Sequence, residues 1–444
     1  MYHGHGVIDT MVTTNARVIL WGKQIGAVSW LKDREVGIFQ YAPEFLGSGI
    51  EVSPLMMPLR EEPYEFPSLS KETFKGLPGL LADSLPDRFG NAMIDEWLAS
   101  QGRDPESFNP VERLCYTGKR GMGAIEFEPS TVGPSMKMES VEVEKLVELS
   151  SKVLSEKRCM GGKFSGEDDR KAVTDILRVG TSAGGARAKA ILAWNPETGE
   201  FRSGQIGLPD GFEHWIMKFD GVTNTLTGEV ADPKGYGKIE YAYHLIARDA
   251  GINMADCRLH HEGGRSHFMS RRFDRTSEGK KWHMQSLGAM AHFDFNQPAS
   301  YSYEQAMIVM KKIGLKHEDL VQQLIRAVFN VVGRNHDDHV KNIAYLMNRK
   351  GEWRLSPAYD VTYSWNPSGT FTHRHQMSIN GKREDIDRED LIALGSLAGM
   401  KKRKCNDLID RVVTAFGKWP EIAEKVGVPE KRISEIGKRL LLDL

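Results

Sequence analysis

Between Val321 and Asp360 the sequence prescribes a helix, a polar loop and a β-hairpin in immediate succession, an order that restricts the fold sharply. "VQQLIRAVFNVVG" puts Val321, Leu324, Ile325, Val328, Phe329 and Val332 on one stripe at steps of three and four. That is the spacing of a helix with one buried face. The helix runs directly into "GRNHDDHVKN" (333–342), where histidines, aspartates, asparagines and a lysine crowd together. "NIAYLM" and "EWRLS" then read as a hairpin around "NRKG", followed by "SPAYD". Strands of similar length, running out and back, bring Asn342 and Asp360 to the same end of the ribbon.

Phosphoryl transfer from ATP needs backbone amides and a lysine near the phosphates, a carboxylate to position the attacking hydroxyl, and oxygen ligands for Mg2+. Protein kinases supply the last two with an Asp, an Asn five residues later and a further Asp beyond a hairpin. Asp337 and Asn342 stand in that D-x-x-x-x-N register, whereas Asp338 does not. Asp360 is placed to share Mg2+ with Asn342 through hard oxygen ligands. Two other readings of the loop stay open. One is a solvated turn whose Asp and Asn side chains bond their own backbone. The other is a metal phosphohydrolase built on His336, Asp337 and His339. That chemistry needs further histidines upstream, and His283 and His292, the nearest, have no His-Asp partner arranged for it. The hairpin that returns Asp360 favours the kinase reading.

Upstream, "VGTSAGGARAKAILAW" (179–194) is a Gly-rich loop entering a strand. It misses the Walker A pattern, because Ala186 and Arg187 replace the Lys and Ser/Thr. A plain hairpin turn is the competing explanation. Lys218 lies mid-strand in "HWIMKFD", as a phosphate-binding lysine would, or as an edge lysine reaching water. Glu240 opens the next helix and is a candidate partner for Lys218, although a helix-N-terminal Glu is common for dipole reasons alone.

Elsewhere, "ARVILWGKQIGAVSWL" reads as two strands around a Gly-Lys-Gln turn, and 74–100 carries helical spacing that restarts at Pro86. "AILAW", "HWIMKFD" and "HFMSRRFDR" read as strands, and "IEYAYHLIARDAG" as a helix that Gly251 caps. Val141, Val143, Leu146, Val147 and Leu149 mark another amphipathic segment, and 383–444 reads as helical. Strands first and helices later predict an α+β, two-lobed chain rather than alternating βαβ units. We divide it into a tail (1–14), an N-terminal subdomain (15–135), an N-lobe with the Gly-rich loop and hinge (136–275) and a helical C-lobe (276–444). The boundary near 130–140 is the softest.

Composition removes some classes. A net charge of −1 over 444 residues gives no global drive toward nucleic acid or anionic membranes. Cys115, Cys159, Cys257 and Cys405 are scattered without zinc spacing, as suits a reducing compartment. No apolar run approaches the ~20 residues of a membrane span, and the N-terminus lacks a signal-peptide core. A cytoplasmic protein that does not engage membranes is the expectation.

Taken together, "WGKQIGAVSWLKDREVGIFQYAPEFL", "SPLMMPL", "LLADSLPDRF", "TSAGGARAKA", "WIMKFD", "RRFDR", "NHDDHVKN" and "LSPAYD" resemble, in order, the HipA family of serine/threonine kinase toxins from bacterial toxin–antitoxin systems. The resemblance spans nearly the whole chain and implies a two-lobed, protein-kinase-like (HipA-like) fold with a β-rich N-terminal subdomain and a mainly helical C-terminal lobe. It implies Asp337 as catalytic base, Asn342 and Asp360 as Mg2+ ligands, and Lys218 as the ATP phosphate lysine. Ser182, Ala183, Gly184 and Gly185 would form the phosphate loop, and Ser182 matches the family's autophosphorylated serine. A phosphate there adds roughly two negative charges beside those of ATP and should switch the enzyme off. Arg271 and Phe273 would offer backbone groups to the adenine, while His339 and Lys341 complete the catalytic-loop pattern. The implied partners are a small helix-turn-helix antitoxin (HipB-like), operator DNA reached through it, and a protein substrate such as an aminoacyl-tRNA synthetase. The alternative is a weakly catalytic co-repressor acting with that antitoxin on operator DNA. The basic run Lys401, Lys402, Arg403 and Lys404 reads first as a solvated helix start, and otherwise as a contact to operator DNA or an acidic partner surface.

Overall fold

The computed structural model describes residues 13–130, 142–156, 187–204, 208–222, 234–276 and 278–444. The Gly-rich stretch 179–186, with Ser182, Ala183, Gly184 and Gly185, lies outside them, as do the 131–140 boundary region, Val141 and most of the tail.

The first sheet is antiparallel, in the order β3 (Val36–Tyr41), β2 (Lys23–Leu31), β1 (Asn15–Leu20), β4 (Ile125–Glu128). Its alternating inward residues Val18, Leu20, Ile25, Val28, Phe39 and Phe127 meet Leu77, Leu81, Val111 and Leu114 in one core. The β1–β2 turn falls one or two residues earlier than the sequence suggests. Leu20 pairs with Lys23, so the loop is Trp21-Gly22, both at positive φ. A two-residue loop of that kind matches the twist of the strands it joins, and Lys23 and Gln24 enter the ladder instead.

The second sheet runs β6 (Phe201–Ser203), β5 (Lys189–Trp194), β7 (Glu213–Lys218), β9 (Arg265–Arg271), β8 (Cys257–Glu262). β5 is buried at all six positions, as an inner strand between β6 and β7 with helices over one of its faces. One cover comes from the N-terminal subdomain. The helix Arg88–Ser100 sets Phe89, Ala92 and Met93 against Ala190, Leu192, Trp215 and Met217, joined by Val143, Leu146 and Val147 of the helix Val143–Glu156. Pro86 precedes the N-cap Asp87, whose carboxylate accepts the Gly90 N–H at 2.7 Å, and there the helix restarts. Phe89 is fully buried at this junction. Phe89→Ala is therefore expected to cost about 3–5 kcal/mol, read as a lower urea midpoint for the whole chain.

The helix Tyr236–Asp249 packs on β8 and β9. Gly251 at φ +86 ends it, and the Ile252 N–H bonds the Ala247 carbonyl. The helix begins four residues before Glu240, so that residue sits in its second turn rather than opening it. β9 stops at Arg271. In the "RFDR" that follows, the Arg272 N–H still bonds the His214 carbonyl of β7 at 2.9 Å, and the chain leaves the sheet beyond it, where the side chains of Arg272 and Asp274 pair with each other.

β10 (His283–Ser286), β11 (Ala344–Met347) and β12 (Trp353–Leu355) form a small third sheet, with Tyr345 opposite Leu355 and Met347 opposite Trp353. β11 and β12 are the hairpin expected from the sequence. The helix His317–Val332 buries Leu324, Ile325, Val328, Phe329 and Val332 in the main C-lobe core. It stops where Arg334 takes φ +53 and the Asn335 N–H returns to the Asn330 carbonyl at 2.9 Å. The chain ends in helices Arg388–Leu397, Lys402–Gly417, Trp419–Val426 and Glu430–Gly437. The architecture is α+β and two-lobed, with the catalytic-loop candidate at the junction of the lobes. No helix among the described residues is long and apolar enough to cross a membrane.

Candidate active site

Lys218 ends β7 and sits between two carboxylates. Its ammonium is 2.6 Å from Glu240 Oε1 and 2.6 Å from Asp360 Oδ1. Glu240 is almost wholly buried and also takes Arg187 at 3.3 Å. Burial works against the Lys218 charge, but Asp360 and Glu240 outweigh it and hold the ammonium above its ordinary range. Burial would likewise raise the Asp360 carboxyl. Lys218 and Lys189 instead draw it down to about 2, so it stays ionised. Asp360 adopts φ +52, a left-handed conformation that Asp tolerates better than most residues. It ends the "SPAYD" run just where the β12 return predicts.

The loop after Val332 is fixed from several sides. The Asp337 N–H donates to Ser364 Oγ at 2.9 Å, and Asn342 Nδ2 donates to the Asp337 carbonyl at 2.7 Å. The D-x-x-x-x-N spacing thus closes on itself. With its nitrogen committed, the Asn342 amide keeps Oδ1 as an acceptor. The Asp337 side chain is about half exposed and receives Gln376 Nε2 at 2.7 Å on Oδ1, with His339 Nε2 3.8 Å away. Asn342, His339 and Asp360 line one small cavity together with Tyr359 and Asn330. Lys341 lies over the Phe295 ring at 4.6 Å, and its carbonyl accepts the Tyr359 hydroxyl at 2.5 Å.

Asp338 plays a different part. It is buried, and accepts from His375 Nδ1 and the Tyr303 hydroxyl, each at 2.9 Å, and from the Gln376 N–H at 2.8 Å. Burial would raise its carboxyl, yet His375 and these donors hold it below the usual range. His336 is packed inside the loop with its ring 4.1 Å from that of His375, and burial lowers it to about 3. His283 bonds the Val52 carbonyl, and His292 accepts the Gly79 N–H. The upstream histidines that a phosphohydrolase would gather, His283 and His292, are therefore each engaged elsewhere.

At the hinge, the Arg271 N–H is committed to the Asp256 carbonyl at 2.8 Å, and Phe273 lies 5.6 Å from the Tyr359 ring. A pair given no role by the motifs it sits in joins the site, Asp87 of "LLADSLPDRF" from the N-terminal subdomain and Lys189 of "TSAGGARAKA" from β5. Asp87 and Lys189 are both buried and 3.3 Å apart. Lys189 is the direct cross-strand partner of Lys218, so the two lysines share a sheet face. Burial lifts the Asp87 carboxyl to about 6 against the pull of Lys189.

Family models match two stretches. The HipA N-terminal domain matches 16–128, and the HipA-like C-terminal domain matches 181–438. No curated protein matches the sequence. Among solved structures, the toxin–antitoxin system HipA of Shewanella oneidensis MR-1, solved with HipB and its operator DNA, is 17% identical with 96% of each chain covered and a TM-score of 0.64. The Helicobacter pylori proinflammatory kinase CtkA is 11% identical over 59% of this chain and 90% of its own, with a TM-score of 0.33.

Proposed function

The chain belongs to the HipA family, and on that premise we propose that it is an ATP- and Mg2+-dependent protein serine/threonine kinase serving as the toxin of a toxin–antitoxin pair. The reading is carried by Lys218, held between Glu240 and Asp360 beside the Asp337–Asn342 loop. In this assignment Lys218 binds ATP phosphate oxygens and Glu240 keeps it aimed. Asp337 orients a substrate hydroxyl and accepts its proton as the oxygen bonds to the γ-phosphorus, and the bond to the β-phosphate oxygen breaks to release ADP.

The residues present suit magnesium. An ionised Asp360 and the Asn342 oxygen are hard ligands of the kind Mg2+ takes from a protein when phosphates supply the rest. When bound, the ion neutralises charge on the transferring phosphoryl group. At the hinge, Arg271 is left with its carbonyl rather than its N–H for an adenine, and Phe273 packs against Tyr359. His339 and Lys341 are kept as parts of the catalytic loop. Ser182, with Ala183, Gly184 and Gly185, is assigned the phosphate loop and an inhibitory autophosphorylation on the strength of the family resemblance.

By analogy with the Shewanella assembly, the partner is a small HipB-like antitoxin, with operator DNA reached through it. The protein substrate is a component of translation, an aminoacyl-tRNA synthetase being the class the family suggests, and the site of action is the cytoplasm. Incubation with labelled ATP and Mg2+ is expected to label the chain itself or a protein in a lysate. A preparation that binds ATP and labels neither overturns the kinase assignment.

One observation favours a co-repressor role beside it. Lys401, Lys402, Arg403 and Lys404 are exposed at the start of a helix, where positive charge opposes the helix dipole. Lys402 pairs with Glu389 at 2.8 Å, and the others are set to meet phosphate or an acidic partner. Operator binding that survives loss of Asp337 but not loss of this run would separate the two roles.

A further inference from the structure

The segment after Asp360 returns to the catalytic loop and hands one residue, Gln376, to both acids of "HDDH". Its backbone N–H donates to Asp338 Oδ1 at 2.8 Å, and its side-chain amide donates to Asp337 Oδ1 at 2.7 Å. Its carbonyl accepts the Ala299 N–H at 3.0 Å, so the backbone is pinned in both directions and the side chain has one way to point. Gln376 is itself buried, whereas the carboxylate it reaches is about half exposed. A half-exposed Asp side chain is otherwise free to change rotamer, which a catalytic base must not do.

The support beneath this contact is continuous. Asp338 accepts from His375 and from Tyr303, whose hydroxyl in turn accepts Asn330 Nδ2 at 2.9 Å, and Asn330 Oδ1 accepts Asn335 Nδ2 at 3.0 Å. On the far side, the Ser378 N–H bonds the Tyr301 carbonyl and the Tyr303 N–H bonds the Ser378 carbonyl, each at 3.0 Å. A buried, fully donated-to carboxylate flanked by such a network is rigid, because breaking any one bond strands a charged group away from water.

We propose that Gln376 is the positioning residue for Asp337, delivered by the Asp338–His375 clamp, so that the second acid of the loop orients the first through it. The proposal rests on the kinase reading, and it gives Asp338 a role as the anchor of the segment that aims the base. The segment is clamped by residues of the chain itself, with no phosphate group required to order it.

The test uses the full chain and its transfer of label from ATP with Mg2+. Gln376→Met keeps the length of the side chain and the backbone bond to Asp338 but removes the amide donor. Its kcat is expected to fall by about ten- to a hundredfold, the scale of a small misplacement of a reacting group, with KM for ATP and the melting temperature unchanged. On an Asp337→Asn background the same change should cost nothing further, because it acts through Asp337. Three results would overturn the inference while leaving the kinase reading intact: wild-type kcat in Gln376→Met, a further drop on the Asp337→Asn background, or a loss that falls on ATP binding and melting temperature instead of kcat. A wild-type chain that transfers no phosphate, or whose transfer is indifferent to Asp337→Asn, overturns both.

Discussion

Asp337→Asn is expected to slow phosphoryl transfer by about a hundred- to ten-thousandfold, the usual contribution of a positioned general base. The substitution is nearly isosteric. The carbonyl oxygen of the new amide side chain can still accept the Gln376 amide, and the backbone bonds to Ser364 and Asn342 do not involve the altered group. Because the Asp337 side chain is half exposed and its nearest cationic candidate among the described residues, His339, stands 3.8 Å away, its charge contributes little to stability. Nucleotide affinity by titration calorimetry and the melting temperature should therefore stay near wild type while label transfer collapses. Equal transfer by variant and wild type would remove Asp337 from the role of base. A parallel fall in ATP affinity would mean that the loop, and not the carboxylate, had been lost.

What the sequence made legible was local. The helix stripe ending at Val332, the D-x-x-x-x-N closure and the β11–β12 hairpin all lie within forty residues or so, and each has its own periodicity or turn chemistry. Lys218 was visible as a charged residue in an apolar strand. Glu240 was legible as a candidate partner for Lys218, which its 2.6 Å bond bears out, but its place in the second turn of the helix and its burial needed the fold. β8 was missed for a physical reason. As an edge strand reading "CRLHHE", with no fully buried position, it lacks the apolar alternation that marks a half-buried strand.

The harder omissions are long-range. Asp87 reaches Lys189 across about a hundred residues of chain, and Gln376 reaches Asp337 from beyond an irregular segment. Gln376 sits in no quoted motif, and Asp87, although inside "LLADSLPDRF", has a sufficient local explanation as the N-cap of the helix it precedes. The same holds for packing. Treating the N-terminal subdomain as a separate unit hides the fact that its helix Arg88–Ser100 supplies one wall of the second sheet. A stretch of chain can look self-contained in sequence while the core it completes belongs to another.

That interdependence sets the second large effect, at Asp274. Its carboxylate is fully buried and takes Arg272 at 2.9 and 2.7 Å, Arg275 at 2.6 Å and the Gly123 N–H at 2.7 Å. The two guanidinium groups also reach the Gly121 carbonyl, at 3.1 and 3.0 Å, so this one cluster ties the N-terminal subdomain to the hinge. Asp274→Ala leaves two buried cations without their shared counter-ion, and is expected to cost about 3–5 kcal/mol at neutral pH. Burial would raise the Asp274 carboxyl, but Arg272 and Arg275 draw it well below the usual carboxylate range. A folded-state value below the unfolded one means that the stabilisation is fully present above about pH 4 and is lost as pH falls toward the folded value. Urea unfolding should therefore show the full gap between wild type and variant at neutral pH and a narrowing gap in acid. A control at the exposed Lys402–Glu389 pair should change stability by no more than about 0.5 kcal/mol. A loss at Asp274 as small as the control's, or one that widens as pH falls, would mean that the cluster does not hold the hinge to the N-terminal subdomain through this charge.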